Sequence, residues 1–367
     1  MDLGPFIYNK PRKFIRNIMH GLDPDPLQTI YPPAAIQEDG RKVEITGPRY
    51  LGSYSWLTGR TPRILVPGAP RIWVDRPTPF TLSPDSGFQS CDHNAYQLPP
   101  YPLLPIFLAV TTTFDWSSVD VVADCHSFLR LIAFATGQRH DFRMDLQLAG
   151  SKTVLCTRWE PKVLMSADPG GYGRNFERML TRPAPGCTNA ASHHRVITYD
   201  LAGMKLVVRA EVDACLPSGK AAAAHAQQQQ QPHVPPQSAL VELTTKSKNN
   251  CSRASRMAYK HMQMCLAQTP NLICGTHQYG VFGKVVRREM SDEGRGQREA
   301  KLRLLRDALG SIQQLVVDAG RGGRLTLVYK DRVLKLYRRS SMNSLLPEEY
   351  MRMFQPNASV FFRLFNR

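Results

Sequence analysis

Three acidic residues raise the question of chemistry in this chain of 367 residues. Glu211 and Asp213 stand two apart in "RAEVDAC", where the apolar run "MKLVVRAEVDAC" ends, and Glu242 lies within a second apolar run, "ALVELTTKS". Side chains alternate between the two faces of a strand. That period puts Leu206, Val208, Ala210, Val212 and Ala214 on one face and Val207, Arg209, Glu211, Asp213 and Cys215 on the other. In the second run Leu240, Glu242, Thr244 and Lys246 share a face. Taken alone, such a strand most often turns its acids to water. If the two strands are neighbours, three carboxylates converge, and crowded carboxylates repel one another unless a cation neutralises them. Hard divalent cations take oxygen ligands of this kind. Two such ions can activate a water and stabilise the leaving oxygen of a phosphodiester.

The totals favour a polyanionic substrate. Lys and Arg number 47 against 30 Asp and Glu, a formal charge of +17. An excess of that size points to nucleic acid or a nucleotide before other partners, the bland alternative being charge that serves only solubility. Eight cysteines include no Cys-x-x-Cys, so neither a zinc ribbon nor a dithiol redox motif is present. Several lie inside apolar runs, as expected of an intracellular, reducing compartment. The N-terminal "MDLGPFIYNKPRKFIRN" lacks the continuous apolar core of a signal peptide. The most apolar stretch, "YPLLPIFLAV", is interrupted by prolines and falls far short of the roughly 20 residues that span a bilayer. No Asp-Asp-x-x-Asp occurs, which sets prenyl-diphosphate chemistry aside. The adjacent His193 and His194 make a poor joint ligand, because neighbours on a strand point opposite ways.

The elements that must position the acids mix strands and helices throughout. Residues 1–45 read as an extended arm rich in Pro and charge, and 46–367 as a single domain. Hairpins are expected at "RMDLQLAGSKTVLCTRW", "RVITYDLAGMKLVVRAEVDAC" and "RLTLVYKDRVLKLYRR", and a strand at "SALVELTTKSK". Helices are expected at "SSVDVVADCHSFLRLIAFATG", with Ser before it and Gly137 after it, and at "GYGRNFERMLT", "SRASRMAYKHMQMCLAQT" and "QREAKLRLLRDALGSIQQLVVDAG". Residues 217–238 contain a low-complexity Ala/Gln tract too poor in large apolar residues to order itself, and read as a disordered insertion. The class is α/β or α+β.

Glu-x-Asp on one strand and Glu on the next is the layout of many metal-dependent nucleases, and four segments in order resemble the DXO family of RNA 5′-end decapping nucleases. "GRNFERMLT" resembles that family's Gly-x-x-Phe-Glu helix, "RAEVDAC" its Glu-Val-Asp-Cys strand, and "LVELTTKS" its Val-Glu-Leu-Lys-Thr-Ser strand. "KHMQMCLAQTPNLICGT" resembles its Lys-rich helix, with a Gln seven residues before a Pro, and the strand that follows. The resemblance, that of a divergent fungal member, implies two mixed β-sheets flanked by helices, with a metal-binding cleft between them. It implies Glu177, Glu211, Asp213 and Glu242 as the metal set, with Glu211 holding a water of the metal. Gln263 would act on that water or the scissile phosphate. The implied cofactors are two Mg²⁺ or Mn²⁺ ions. The implied substrates are RNA 5′ ends carrying incomplete caps, nucleotide caps such as NAD, or triphosphates, with 5′–3′ exoribonuclease activity and a 5′–3′ exoribonuclease partner as further possibilities. The family works in nucleus and cytoplasm, the nucleus being the expected compartment here.

Two cationic positions depart from the family pattern. The second strand reads Glu-Leu-Thr where the family has Glu-Leu-Lys, so Thr244 stands in place of a fixed positive charge. Lys246 shares that face and is the expected substitute as a catalytic residue, but it lies roughly 6.6 Å further along the strand. The family's phosphate-holding Arg aligns with Leu148. Arg143 is the nearest upstream Arg and the expected substrate-binding residue, while Arg158 downstream reads as surface charge. Loss of such cations leaves two functional classes open. One is a working hydrolase. The other is a catalytically impaired relative that binds RNA ends or scaffolds an exonuclease.

Overall fold

The computed structural model describes residues 1–3, 17–33, 42–111, 113–162, 164–168, 170–217, 233–248, 253–291 and 294–355, with backbone alone at 253–255. Most of the Ala/Gln tract and parts of the N-terminal arm thus lie outside the described residues. Two large mixed sheets carry the chain, with helices against them. From edge to edge the ten-stranded sheet runs Gln28–Ile30, Val333–Arg338, Leu325–Lys330, Phe142–Ala149, Thr153–Trp159, Val121–Asp124, Met204–Glu211, Ala190–Leu201, Ile45–Leu57 and Ile64–Leu65. The seven-stranded sheet runs Thr181–Arg182, Arg71–Trp73, Ala214–Cys215, Leu240–Ser247, Asn271–Gln278, Val281–Glu289 and Phe80–Thr81. A third, two-stranded sheet pairs Phe88–Ser90 with Leu164–Ser166, an addition to the two sheets the sequence led us to expect.

The ten-stranded sheet is apolar on both faces. Leu206, Val208 and Ala210 pack with the helices Cys125–Ala135, Arg253–Ala267 and Arg295–Ala319. Val207, on the opposite face, joins Tyr54, Trp56, Phe107 and Phe354. The period of two read from "MKLVVRAE" is therefore obeyed. The three expected hairpins all form. One expected helix is only half right. In "SSVDVVADCHSFLRLIAFATG" the helix is Cys125–Ala135, while Val121–Asp124 is a strand lying parallel to both of its neighbours. A strand buried on both faces is a continuous apolar run, which periodicity alone does not separate from buried helix.

In the seven-stranded sheet, Leu240–Ser247, the helix Arg253–Ala267 and the strand Asn271–Gln278 form a β-α-β unit, since the two strands pair in parallel. Such a crossover lays its helix over the sheet. On the other face, Phe176 and Leu180 of the helix Gly173–Met179 and its C-cap pack with Val241, Leu243, Ile273 and Phe282. Gly275 makes room for this contact. A Cβ there would stand 2.4 Å from the Phe176 ring and 2.8 Å from that of Phe282, two rings that stack at 5.2 Å. Rigid rings in a close-packed core yield little to an added methyl. Gly275→Ala should therefore lower the stability to urea by roughly 2 kcal/mol with an unchanged m-value. A variant as stable as the wild type would show that the helix carrying Glu177 is not seated through Phe176.

Candidate metal and phosphate site

The site begins with a buried arginine. Arg209 lies one strand position before the acids, 1% exposed. Its guanidinium grips Asp124 at two points, Nε to Oδ1 at 2.5 Å and Nη2 to Oδ2 at 2.9 Å. Nη1 donates to the Pro102 carbonyl and to the Tyr54 hydroxyl. This bidentate pair ties Met204–Glu211 to its parallel neighbour Val121–Asp124 at the point where the strand ends.

There the chain changes sheets. Glu211 is the last residue of its strand, opposite His194, and by Ala214 the chain pairs with Val241 in the other sheet. "RAEVDAC" is thus a strand end, a two-residue crossing and a new strand start, in place of the continuous strand read from the sequence. Asp213 stabilises the crossing, because its Oδ2 accepts the backbone N–H of Leu243 at 2.8 Å. The backbone has left the ladder at that level, and the carboxylate supplies the acceptor instead.

Glu242 follows from the same register. Val241 and Leu243 face the Phe176 core, so Glu242 faces the crossover helix. It is 3% exposed, and both Lys260 and Gln263 donate to its Oε1, Gln263 at 2.9 Å. Three residues apart, they project from one face of that helix. Glu177 comes from the helix Gly173–Met179, whose first turn is fixed by Asp85 accepting from the Arg174 and Asn175 backbone N–H groups. Glu177, Glu211 and Asp213 line one cavity of about 590 Å³.

The carboxyls bear the marks of crowding. Removal from bulk water, then Glu211 and Glu242, push Glu177 up to about 7. Glu211 meets solvent in the cavity yet is walled by protein, and desolvation, then Asp92 and Glu242, push it up to about 7. Burial, then Glu242 and Glu177, hold Asp213 well above the usual carboxylate range. Burial pulls the Lys260 ammonium down, but Glu242 and Asp213 outweigh it and hold it above its ordinary value.

A hard divalent cation suits this donor set, which offers carboxylate and amide oxygens around shared negative charge. As the side chains stand, no three Asp, Glu, His or Cys groups among the described residues have the spacing of a metal cage. Lys260 occupies the Glu242 end.

All four expected acids and Gln263 are therefore brought to one region, and Arg143 is not. Lys246 lies half-buried, paired with Thr276 two residues beyond Thr244, and the ammonium that reaches Glu242 is that of Lys260. Arg143 is buried away from the cavity, with Nε on Asp145 at 3.0 Å, Nη1 on the carbonyls of Ile18 and His20, and its guanidinium over Trp159. Leu148 is core. Arg158, read from the sequence as surface charge, lines the cavity together with Arg174 and Arg209. It bridges Asp92 at 3.3 Å and Glu160 at 3.0 Å with its side chain 11% exposed. The signal for it was position alone, at the end of the strand Thr153–Trp159. His93, His126 and His194 also line the cavity, and burial lowers all three, His93 to about 4 and His126 to about 3, so they are neutral at physiological pH. Phe88, 62% exposed on the two-stranded sheet, stands in the same wall.

Comparison with known proteins agrees with this fold. The structure resembles Schizosaccharomyces pombe Rai1 in complex with 3′-FADP at 16% identity and TM-score 0.60, covering 84% of this chain and 96% of that one. It resembles Candida albicans Rai1 in complex with pU5 and Mn²⁺ at 12% identity and TM-score 0.59, covering 92% and 99%. Kluyveromyces lactis Dxo1 in complex with manganese follows at 9% identity and TM-score 0.52, covering 87% and 98%. The likeness read from four short motifs thus holds at the level of the fold. No curated protein matches by sequence. One family model does, over residues 35–223, a span that includes Glu177, Glu211 and Asp213, and the chain accordingly belongs to the family described as a domain of unknown function, DUF8563, on a Rai1/Dxo1-type fold.

Proposed function

We propose that this protein hydrolyses RNA 5′ ends with the help of divalent metal, acting on incomplete or nucleotide-type caps such as NAD or on triphosphates. The observation that carries the reading is the convergence of Glu177, Glu211 and Asp213 on one cavity, with Glu242 and Gln263 directly behind them. Carboxyls held this close raise one another's pKa and are a standing cost unless a cation is bound among them. Glu177, Asp213 and Glu242 would hold Mg²⁺ or Mn²⁺, two ions in the fullest arrangement. A bound ion supplies charge stabilisation to the phosphate under attack. Glu211, exposed in the cavity, orients the attacking water, and Gln263 orients the Glu242 carboxylate. Phe88 and Arg174, which line the same cavity, suit a base and its phosphate, since an exposed ring offers a stacking surface to any base. A net charge of +17 draws the RNA. Complexes of similarly folded proteins with pU5 and Mn²⁺ and with 3′-FADP support the choice of substrate and metal.

A second reading, an RNA 5′-end binder without turnover, is favoured by Thr244 and by the Lys260 ammonium lodged on Glu242. The two readings separate on purified protein with Mn²⁺ or Mg²⁺ and 5′-labelled RNAs bearing triphosphate, unmethylated cap, methylated cap, NAD cap or monophosphate. Hydrolysis of at least one is expected. Asp213→Asn with Glu242→Gln should reduce it at least about 100-fold and abolish the rise in Tm that Mn²⁺ gives the wild type. RNA binding without hydrolysis of any end would leave the second reading standing.

The raised carboxyl at Glu211 also makes stability depend on pH. Its pKa is near 4.5 in the unfolded chain and about 7 in the folded one, so between those values the folded state binds the proton more tightly. The stabilisation from that proton is full at acid pH and is lost as pH rises through about 7. In chelator, the Tm of the wild type should therefore fall relative to Glu211→Gln between pH 4.5 and 8. Calorimetric scans of both proteins across that range, showing a flat or opposite difference, would contradict the crowding described here.

A further inference from the structure

The acidic cluster contains one ammonium group, that of Lys260, at the start of the segment likened to the family's Lys-rich helix. Lys260 Nζ is bonded to Glu242, and Gln263 donates to the same oxygen, so the helix Arg253–Ala267 presents a cation and an amide to one buried carboxylate. Glu242 is 3% exposed and the Lys260 side chain 23%, so of the two partners it is the lysine that retains contact with solvent. Two residues along the strand from Glu242, on the same face, Thr244 occupies the place where the resemblance expects a lysine. The β-α-β crossover brings the helix over that face, so a charge missing from the strand can be supplied from above it. An ammonium holds the Glu242 end.

We propose, building on the hydrolase reading, that Lys260 supplies from the crossover helix the positive charge absent at Thr244, and that it neutralises Glu242 until a divalent ion takes its place. A lysine suits both tasks, being a compact point charge on a long flexible stem. Held on Glu242, it limits repulsion in the metal-free protein. Released, it remains within a side chain's length of the phosphate and its developing charge.

The test compares the full-length wild type with Lys260→Met, Lys260→Arg, and Lys260→Met combined with Thr244→Lys. Mn²⁺ binding is read by titration calorimetry, and turnover on whichever 5′-labelled RNA the wild type hydrolyses. Lys260→Met should bind Mn²⁺ about tenfold more tightly, because no ammonium competes, while kcat falls about 100-fold and KM stays within threefold. Lys260→Arg should keep kcat within about tenfold. Adding Thr244→Lys to Lys260→Met should return at least tenfold of the lost kcat, a rescue that a merely structural role would not show. This last protein restores a cation beside buried Glu242, so it also covers the case in which Lys260→Met alone does not fold. Unchanged kcat in Lys260→Met, or a lost kcat that Thr244→Lys leaves where it is, overturns the catalytic role. Unchanged Mn²⁺ affinity overturns the placeholder role. If the wild type hydrolyses no RNA, the hydrolase reading fails, and the titration alone decides whether Lys260 competes with metal.

Discussion

Four carboxyl groups and one ammonium meet where the chain passes from one sheet to the other, and much of the surrounding structure serves to keep them there. Like charges at this density push apart, and in a cavity with little bulk water they are poorly screened. Glu177 and Glu211 register the crowding as pKa values near 7, and Asp213 is held well above the usual carboxylate range. No flexible loop could impose such an arrangement. Each acid is held by an element whose other contacts are apolar or fully paired. Glu211 ends the strand before a two-residue crossing and Asp213 lies within it, Glu242 lies within a strand, and Glu177 projects from a helix seated by Phe176.

The pinning groups differ in kind. Before the crossing, Arg209 is wholly buried and could not remain so unpaired. Its two bonds to Asp124, with Pro102 and Tyr54 as further acceptors, join two parallel strands and a loop on the sheet's far face. Within the crossing, Asp213 accepts the Leu243 N–H that the backbone leaves unpaired. Its carboxylate thus has a structural role besides any metal role, so the loss of this side chain is expected to be felt in both. Under Glu177, the missing side chain of Gly275 lets an aromatic ring into the sheet.

Local patterns made much of this legible in the sequence. The hairpins, the alternation of "MKLVVRAE" and the helix-strand order around "KHMQMCLAQTPNLICGT" are all encoded in runs of ten to twenty residues, and the structure has them. Glu211, Asp213 and Glu242 were legible as a recurrence of acids in two apolar runs, and Glu177 through the resemblance carried by "GRNFERMLT". What escaped was fixed by distant contacts. Val121–Asp124 looks helical because both of its faces are buried, Val121 and Ala123 in one apolar core and Val122 in the other, while its parallel partner strands lie far away in sequence. Arg158 looks like surface charge until Asp92 and Glu160 close on it. Arg143 and Lys246 were chosen for nearness along the chain, and nearness along a strand says little about which cation reaches a given carboxylate.

Lys260 shows why. It lies 18 positions from Glu242 in sequence and is bonded to it in space, because a parallel pair of strands requires a crossover and the crossover passes over the strand's polar face. A site of this topology has two sources of cations for the same carboxylate, the strand itself and the helix above it. Electrostatics depends on where a charge lies and not on which element carries it. Identity of 9 to 16% to similarly folded proteins leaves ample room for a lysine to be lost from one element while another serves from the second. The acids have no such freedom. Asp213 and Glu242 owe their places to backbone register. The threonine in the strand therefore carries less information about loss of activity than loss of either acid would. On this topology, the charge balance of the whole cleft is the better measure of whether the site can work.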